Sequence, residues 1–263
     1  MGEILVTTEL TRRFGDTVAV DGFTLSVEAG EVFGLLGRNG AGKTTLIKML
    51  TTLLPPTSGT ASVAGYDVVR QAAQVRRAIG YVPQLLSADS ELTGYENLSI
   101  FARLYDIPRA ERAARIRDGL TFMGLTDAAD RLVSTYSGGM IRRLEIAQSM
   151  LHRPPVLFLD EPTVGLDPVA RETVWERIDR LRADFGATII LTTHYMDEAE
   201  RLCSRLGIMR QGRLQATGTP ADLMAGMGGA TLDDVFAYYT GGAAETPEYR
   251  ETVSARRTTQ RLG

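Results

Sequence analysis

The stretch Glu31-Val-Phe-Gly-Leu-Leu-Gly-Arg-Asn-Gly-Ala-Gly-Lys-Thr-Thr-Leu-Ile-Lys-Met-Leu50 decides the fold. It opens on a short apolar run of strand type, Glu31 to Leu36, and closes on Thr45 to Leu50, which has helical character. Between them Gly37, Gly42, Lys43 and Thr44 occupy the fixed positions of the template G-x-x-x-x-G-K-[ST]. Small residues let the backbone curl so that successive N–H groups face inward, a nest for anionic oxygens. The positive end of the following helix adds to the same field. Lys43 is expected to reach the β- and γ-phosphates of a nucleotide, and the Thr44 hydroxyl to ligate Mg²⁺. The whole run of Gly37, Arg38, Asn39, Gly40, Ala41, Gly42, Lys43, Thr44 and Thr45 is the expected cradle.

Working outward, the 263 residues suffice for one large or two small domains with a substantial core. Hydrophobic content of 44% and charged content of 23% mark an ordinary globular protein, and the net charge of −3 argues against a dedicated nucleic-acid surface. Lys43 and Lys48 are the two lysines, arginine supplying the other basic residues. Cys203 stands alone, which excludes a disulfide framework and fits a reducing compartment. Met1-Gly-Glu-Ile leads into polar residues rather than a signal pattern, and no run of 18 apolar residues occurs. Any membrane role is therefore expected to go through docking on another chain.

Three stretches differ in character. Up to Gln84, short β-rich runs alternate with turns: Val18 to Val20, Phe23 to Val27, Glu31 to Leu36, Thr60 to Val63 and Ile79 to Val82. From Leu85 to Leu151 helical spacing prevails, over Tyr95 to Tyr105, Arg109 to Met123 and a helix opened by Ser137. Then Val156 to Asp160 and Thr188 to Thr192 read as buried strands of a parallel sheet, with a helix over Val169 to Phe185 between them. A hairpin is expected around Gln211-Gly212 and a short helix from Thr219-Pro220. The expected division is 1–84 with 152–225 as a split α/β core, 85–151 as a helical insertion, and 226–263 as a loosely held C-terminal extension.

Several motifs carry chemistry. Val156 to Asp160 is an apolar strand ending in a carboxylate, which places Asp160 at the ligand edge of an open sheet, where it can hold Mg²⁺. Glu161 follows as a candidate general base for an attacking water. Taken alone, this pair would equally suit two solvated acids at a strand end. Ser137-Gly138-Gly139 opens a helix with exposed N–H groups, either an anion site or a flexible cap. His194, after a buried strand, can donate a hydrogen bond to a γ-phosphate or serve a structural role. The Gln84 amide can ligate Mg²⁺ or water.

Together these motifs resemble the nucleotide-binding subunit of an ABC transporter, over about residues 4 to 225. Tyr136-Ser-Gly-Gly-Met140 matches the family's signature, commonly Leu-Ser-Gly-Gly-Gln, with Tyr136 and Met140 as departures. Gly165-Leu-Asp167-Pro168 matches the loop after the second acidic motif, Gln84 the subdomain-boundary glutamine, and His194 the switch histidine. The resemblance implies an α/β fold, a P-loop NTPase RecA-like core with an antiparallel β-subdomain and an inserted α-helical subdomain. It also implies binding and hydrolysis of ATP with Mg²⁺, with Asp167 among the nucleotide-contacting residues. Phe14 matches the aromatic that stacks on adenine, an interaction that reads no hydrogen bonds and predicts weak base selectivity.

In that family the phosphate loop of one subunit meets the signature of another across a head-to-tail dimer. The implied partners are a second ATP-binding subunit, a homodimer being expected, and an integral membrane permease at the cytoplasmic face of the cell membrane, with no nucleic acid. Leu85, Leu86 and Leu92 to Leu98 are candidates for the permease contact. Leu191 to Glu200, Gly218 to Leu223 and Thr231 to Phe236 resemble the exporter branch typified by antibiotic- and daunorubicin-resistance pumps. The alternative is a soluble ABC-type ATPase working on nucleic acid or ribosomes, which usually carries coiled-coil insertions or two fused ATPase units.

Overall fold

Two sheets divide the chain's strands by the kind of surface each must bury. The computed structural model describes residues 2–241, so the expectations for Thr246 to Gly263 lie outside the described residues. The N-terminal strands β1 (Glu3–Phe14) and β2 (Thr17–Glu28) form an antiparallel hairpin. Strand β3 (Val32–Leu36) then runs into helix α1 (Lys43–Leu50). Strands β4 (Ser58–Val63) and β5 (Tyr66–Asp67) complete an antiparallel sheet of order β2-β1-β4-β5. Helix α2 (Ala72–Ala78) and strand β6 (Ile79–Val82) lead to helices α3 (Gly94–Leu104), α4 (Arg109–Phe122) and α5 (Gly138–Met150). Then follow β7 (Val156–Asp160), α6 (Pro168–Phe185), β8 (Thr188–Thr193), α7 (Met196–Leu202), β9 (Arg205–Arg210), β10 (Arg213–Gly218), α8 (Pro220–Ala225) and α9 (Leu232–Thr240).

The second sheet has the order β10-β9-β3-β8-β7-β6, parallel except for the β9–β10 hairpin. Its central strands are apolar throughout because both faces are covered. Phe33, Leu35, Val156, Phe158 and Ile190 join the core shared with α1 and the antiparallel sheet. Their neighbours Val32, Leu36, Leu157, Leu159, Ile189 and Leu191 join the core shared with the helices. The period of two in a strand sends successive side chains to these two cores.

Three expectations change. The runs Val18 to Val20 and Phe23 to Val27 are one strand, β2, and Glu3–Phe14 is a strand that the periodicity did not reveal. Register shifts along the β1–β2 ladder break the alternation of buried and exposed residues. The extension from Gly226 is not loose throughout. Helix α9 is fixed by a capping box at Thr231 and Asp234, and its Leu232 and Val235 are fully buried. Of the expected docking stretch Leu92 to Leu98, Gly94, Asn97 and Leu98 are buried, Leu98 belonging to the helical core. Leu85 and Leu86 are exposed.

Candidate active site

Four strand ends meet at one edge of the parallel sheet. Leu36 of β3 lies beside Thr193 of β8, Asp160 of β7 beside Thr192 of β8, and Val82 of β6 beside Leu159 of β7. The loops that follow these strands carry the glycine-rich turn, Glu161, His194 and Gln84, so the topology gathers them where open α/β sheets bind ligands.

The glycine-rich turn is held from behind. Gly42 has φ 105, and a Cβ on it would lie 2.3 Å from the Ala19 carbonyl of β2. Only glycine fits both the backbone angle and that approach. As the N-cap of α1, Gly42 offers no side-chain acceptor, and the first turn of α1 has no acidic residue. The amides that open α1 therefore depend on an outside acceptor, the condition for an anion site. Arg38, Asn39 and Gly40 are exposed at the rim, while Gly37 and Ala41 are buried and Thr44 and Thr45 half-buried.

Lys43 is buried, its Nζ donating to the Gly37 carbonyl at 2.7 Å and lying 3.4 Å from Glu161 Oε1. Glu161 is the hub. Its Oε2 accepts from Gln84 Nε2 at 3.1 Å and lies 3.4 Å from His194 Nδ1, which is out of line for a hydrogen bond. Its backbone sits in the left-handed region at φ 50, a conformation that costs a non-glycine residue about 1–3 kcal/mol and gathers at functional sites. Thr192 secures the turn: Glu161 N donates to Thr192 Oγ1 at 3.0 Å, and that hydroxyl donates to Asp160 Oδ1 at 2.5 Å.

Asp160 also accepts from the Thr44 hydroxyl at 3.5 Å, while its Oδ2 is buried without a partner. A partnerless buried carboxylate oxygen beside a hydroxyl is a donor set that suits a hard cation such as Mg²⁺. Tyr81 lies nearby. Burial, and then the Asp160 carboxylate, push its phenol up to about 12, which keeps it protonated.

The remaining expected residues stand apart. Ser137 caps α5, its Oγ accepting from Met140 N at 3.3 Å. Gly139 is a close-packing glycine rather than a flexible cap: a Cβ there would lie 2.7 Å from the Cβ of Ala170 on α6. A Cβ on Gly138 would make only ordinary van der Waals contact with Leu166, at 3.4 Å. Asp167 caps α6 through Ala170 N at 2.9 Å. Among the described residues no hydrogen bond joins Ser137, Gly138, Gly139 or Asp167 to the glycine-rich turn. Phe14 ends β1 at the hairpin tip, about half exposed, with Arg12 stacked over its ring at 4.6 Å. It is not a core residue, and one face of its ring is already covered.

The signature departures have structural accounts. Tyr136 is buried and its hydroxyl donates to the Ala128 carbonyl at 2.6 Å. It fits because Gly94 lacks a Cβ, which would lie 2.3 Å from that hydroxyl. Met140 packs half-buried against the helical core. Sequence reasoning missed Thr192, Arg142, Glu145 and Glu198. Buried Glu198 accepts from Thr163 Oγ1 at 2.7 Å and Trp175 Nε1 at 2.9 Å, tying the segment after Glu161 to the helix after His194. Burial pushes its carboxyl above the usual range. The signals available were polar residues ending an apolar strand and ionisable residues on the inner face of a helix.

Comparison with known proteins follows the same outline. Residues 20–164 match the family model described as ABC transporter. Over 229 residues the chain is 50% identical to the daunorubicin/doxorubicin resistance ATP-binding protein of Streptomyces peucetius, covering 86% of this chain and 68% of that relative. It is 41% identical to the linearmycin resistance ATP-binding protein of Bacillus subtilis, covering 85% of this chain and 71% of the relative. A solved ATP-binding subunit of an ABC transporter superposes with a TM-score of 0.80 at 33% identity, covering 90% of this chain and 99% of that one. These relatives do not favour the nucleic-acid alternative. The chain belongs to the ABC transporter family, in which it is a subunit that binds and hydrolyses ATP.

Proposed function

We propose that the chain powers export of an antibiotic-like or lipid-like compound through a separate membrane permease, as one of two ATP-binding subunits that close head-to-tail on ATP. The observation that carries the catalytic part is the convergence of Lys43, Gln84 and His194 on the Glu161 carboxylate. Phosphoryl transfer to water needs a phosphate cradle, countercharge and an oriented nucleophile. Gly37 to Thr45 form the cradle and Lys43 supplies countercharge. Glu161 accepts the proton of the attacking water, and Gln84 and His194 orient that carboxylate and the γ-phosphate side of the site. Thr44, Asp160 and the free carbonyl of the Gln84 amide would hold Mg²⁺, which when bound neutralises charge on the phosphate oxygens. Phosphate oxygens arriving at Lys43 compete with Glu161 for Nζ, so ATP binding frees Glu161 to face the water.

Phe14 offers its uncovered face to adenine. Ser137, Gly138, Gly139 and Asp167 would meet the nucleotide of the second subunit, Ser137 and Asp167 already capping their own helices. The same reading assigns 1–84 and 152–225 to the ATP core and 85–151 to the signature part. The relatives named for daunorubicin and linearmycin resistance support the exporter reading. Among the described residues no helix is long and apolar enough to cross a membrane, which fits a subunit that docks on its permease. Exposed Leu85 and Leu86 beside Gln84 are the surface proposed for that contact.

The decisive experiment is Glu161→Gln. ATP binding should persist while kcat falls by about a hundredfold or more, the scale of general-base loss. Turnover at the wild-type rate would refute the role of Glu161. Drug-stimulated ATP hydrolysis by the complex with its permease would support the export reading, and stimulation by nucleic acid would overturn it.

A further inference from the structure

Among the described residues the side chain of Arg142 is the largest that is fully buried, and it forms an ion pair at 3.0 Å with Glu145, one turn further along α5. Among the described residues neither side chain bonds to a catalytic side chain, and Arg142 reaches Gln84 only through its backbone carbonyl. Taking two charges out of water is costly, and an apolar pair of similar volume is often as stable or more so. What the charged pair provides is a set of bonds to one loop. Arg142 Nη1 donates to the Pro83 carbonyl at 2.7 Å and Nη2 to the Gln84 carbonyl at 2.8 Å. Glu145 Oε1 accepts from the Ser87 amide and from the Ser87 hydroxyl, the latter at 3.1 Å. The next turn of α5 continues the pattern. Gln148 Nε2 donates to Asn97 Oδ1 at 3.3 Å, and that oxygen accepts from Asp89 N at 2.9 Å.

We infer that Arg142 and Glu145 are positioning residues that lock the 83–87 loop to the helix opened by Ser137-Gly138-Gly139, so that this helix sets where Gln84 meets Glu161. The fork of the guanidinium holds the start of the loop and the carboxylate holds its end. With both ends fastened, the loop moves with α5 and not with the sheet, and the pivot lies at the junction of Val82, still paired in β6, with Pro83. Any partner that shifts α5 against β7 therefore shifts the Gln84 amide against the Glu161 carboxylate, whose present separation is 3.1 Å. Contact at the signature helix is thus read at the hydrolytic end of the same chain. The inference rests on the proposed role of Glu161, and its test keeps the two separable.

Removing one charge alone would leave the other buried and unpaired, so the informative variant is the double substitution Arg142→Met/Glu145→Leu in the full chain. It should fold with a melting temperature near that of the wild type and bind ATP with an affinity unchanged within about twofold. Its kcat should fall by about tenfold to a hundredfold, the scale of a misplaced catalytic contact. Hydrogen exchange at the Ser87 amide should speed up by about tenfold or more. Arg142→Lys keeps the charge but cannot span two carbonyls, and should lower kcat while leaving Ser87 protected by Glu145. A stable double variant with wild-type kcat overturns the inference, as does one in which Ser87 exchange is unchanged. Because Ser87 exchange is measured without turnover, it tests the lock even if Glu161→Gln proves active.

Discussion

The glycine-rich turn and the signature turn are both helix starts opened by glycines, yet they are finished differently. At the first, Lys43, Glu161, Gln84, Thr44 and Asp160 are brought together from the ends of three strands and lean on one another. At the second, Ser137 and Asp167 spend their side chains on capping their own helices, and Gly139 is consumed by packing against Ala170. One half is a cluster of ionisable groups within a single chain; at the other, the polar side chains are already used by their own helices. The difference fits the proposed reading, in which the signature turn meets the nucleotide of a second subunit.

The strongest way to break this comparison is complementation. On the proposed reading, Lys43→Ala and Ser137→Arg should each reduce turnover by about a hundredfold or more through lost contacts to the phosphates. An equimolar mixture should recover turnover, because a mixed dimer keeps one intact pair of halves; no recovery would place both halves within one chain. Gly139→Ala should come next. The added methyl meets Ala170, an overpacking worth about 1–3 kcal/mol, so the melting temperature should fall while the lone subunit keeps its ATP affinity. An unchanged melting temperature would remove packing from the account of Gly139. Tyr136→Phe deletes the hydrogen bond to the Ala128 carbonyl and should cost about 1 kcal/mol by denaturant titration, again without touching ATP binding.

A further effect, silent at neutral pH, is expected in acid solution. His152 stacks on Tyr105 at 3.7 Å and donates from Nε2 to the Ile79 carbonyl at 3.0 Å. Burial, aided by Arg115, lowers its pKa to about 4. The unfolded chain therefore binds the proton first as pH falls. The stabilisation is complete above about 6.5, the ordinary histidine value, and is lost as pH drops toward about 4. In His152→Gln the melting temperature should depend less steeply on pH across that window. A slope equal to the wild type's would show that His152 is not the titrating group.

Much of this was legible because it is local. The apolar runs of β3, β7 and β8, the cap Ser137 and the turn at Gln211-Gly212 each announce themselves within a few residues. What was hidden is non-local. Arg142 reaches Pro83 across 59 positions and Thr192 reaches Asp160 across 32, so no window of sequence shows either bond. Strand β1 was obscured by its register shifts, and α9 by the glycines that flank a short helix. The pairing of Tyr136 with Gly94 depends on a missing methyl in another helix, which no propensity encodes.

The strand that launches the glycine-rich turn pairs with β8 and β9, so Val32 meets Ile189 and Leu36 meets Ile208. During synthesis β1, β2 and β4 can zip early, but β3 must wait until the chain has grown past residue 210. Pairings of such long sequence separation form slowly and leave an apolar edge open to misassembly in the meantime. A ribosome-bound fragment that stops short of β9 should thus be sticky and unable to hold ATP, and nucleotide binding becomes a certificate that translation has carried through β9.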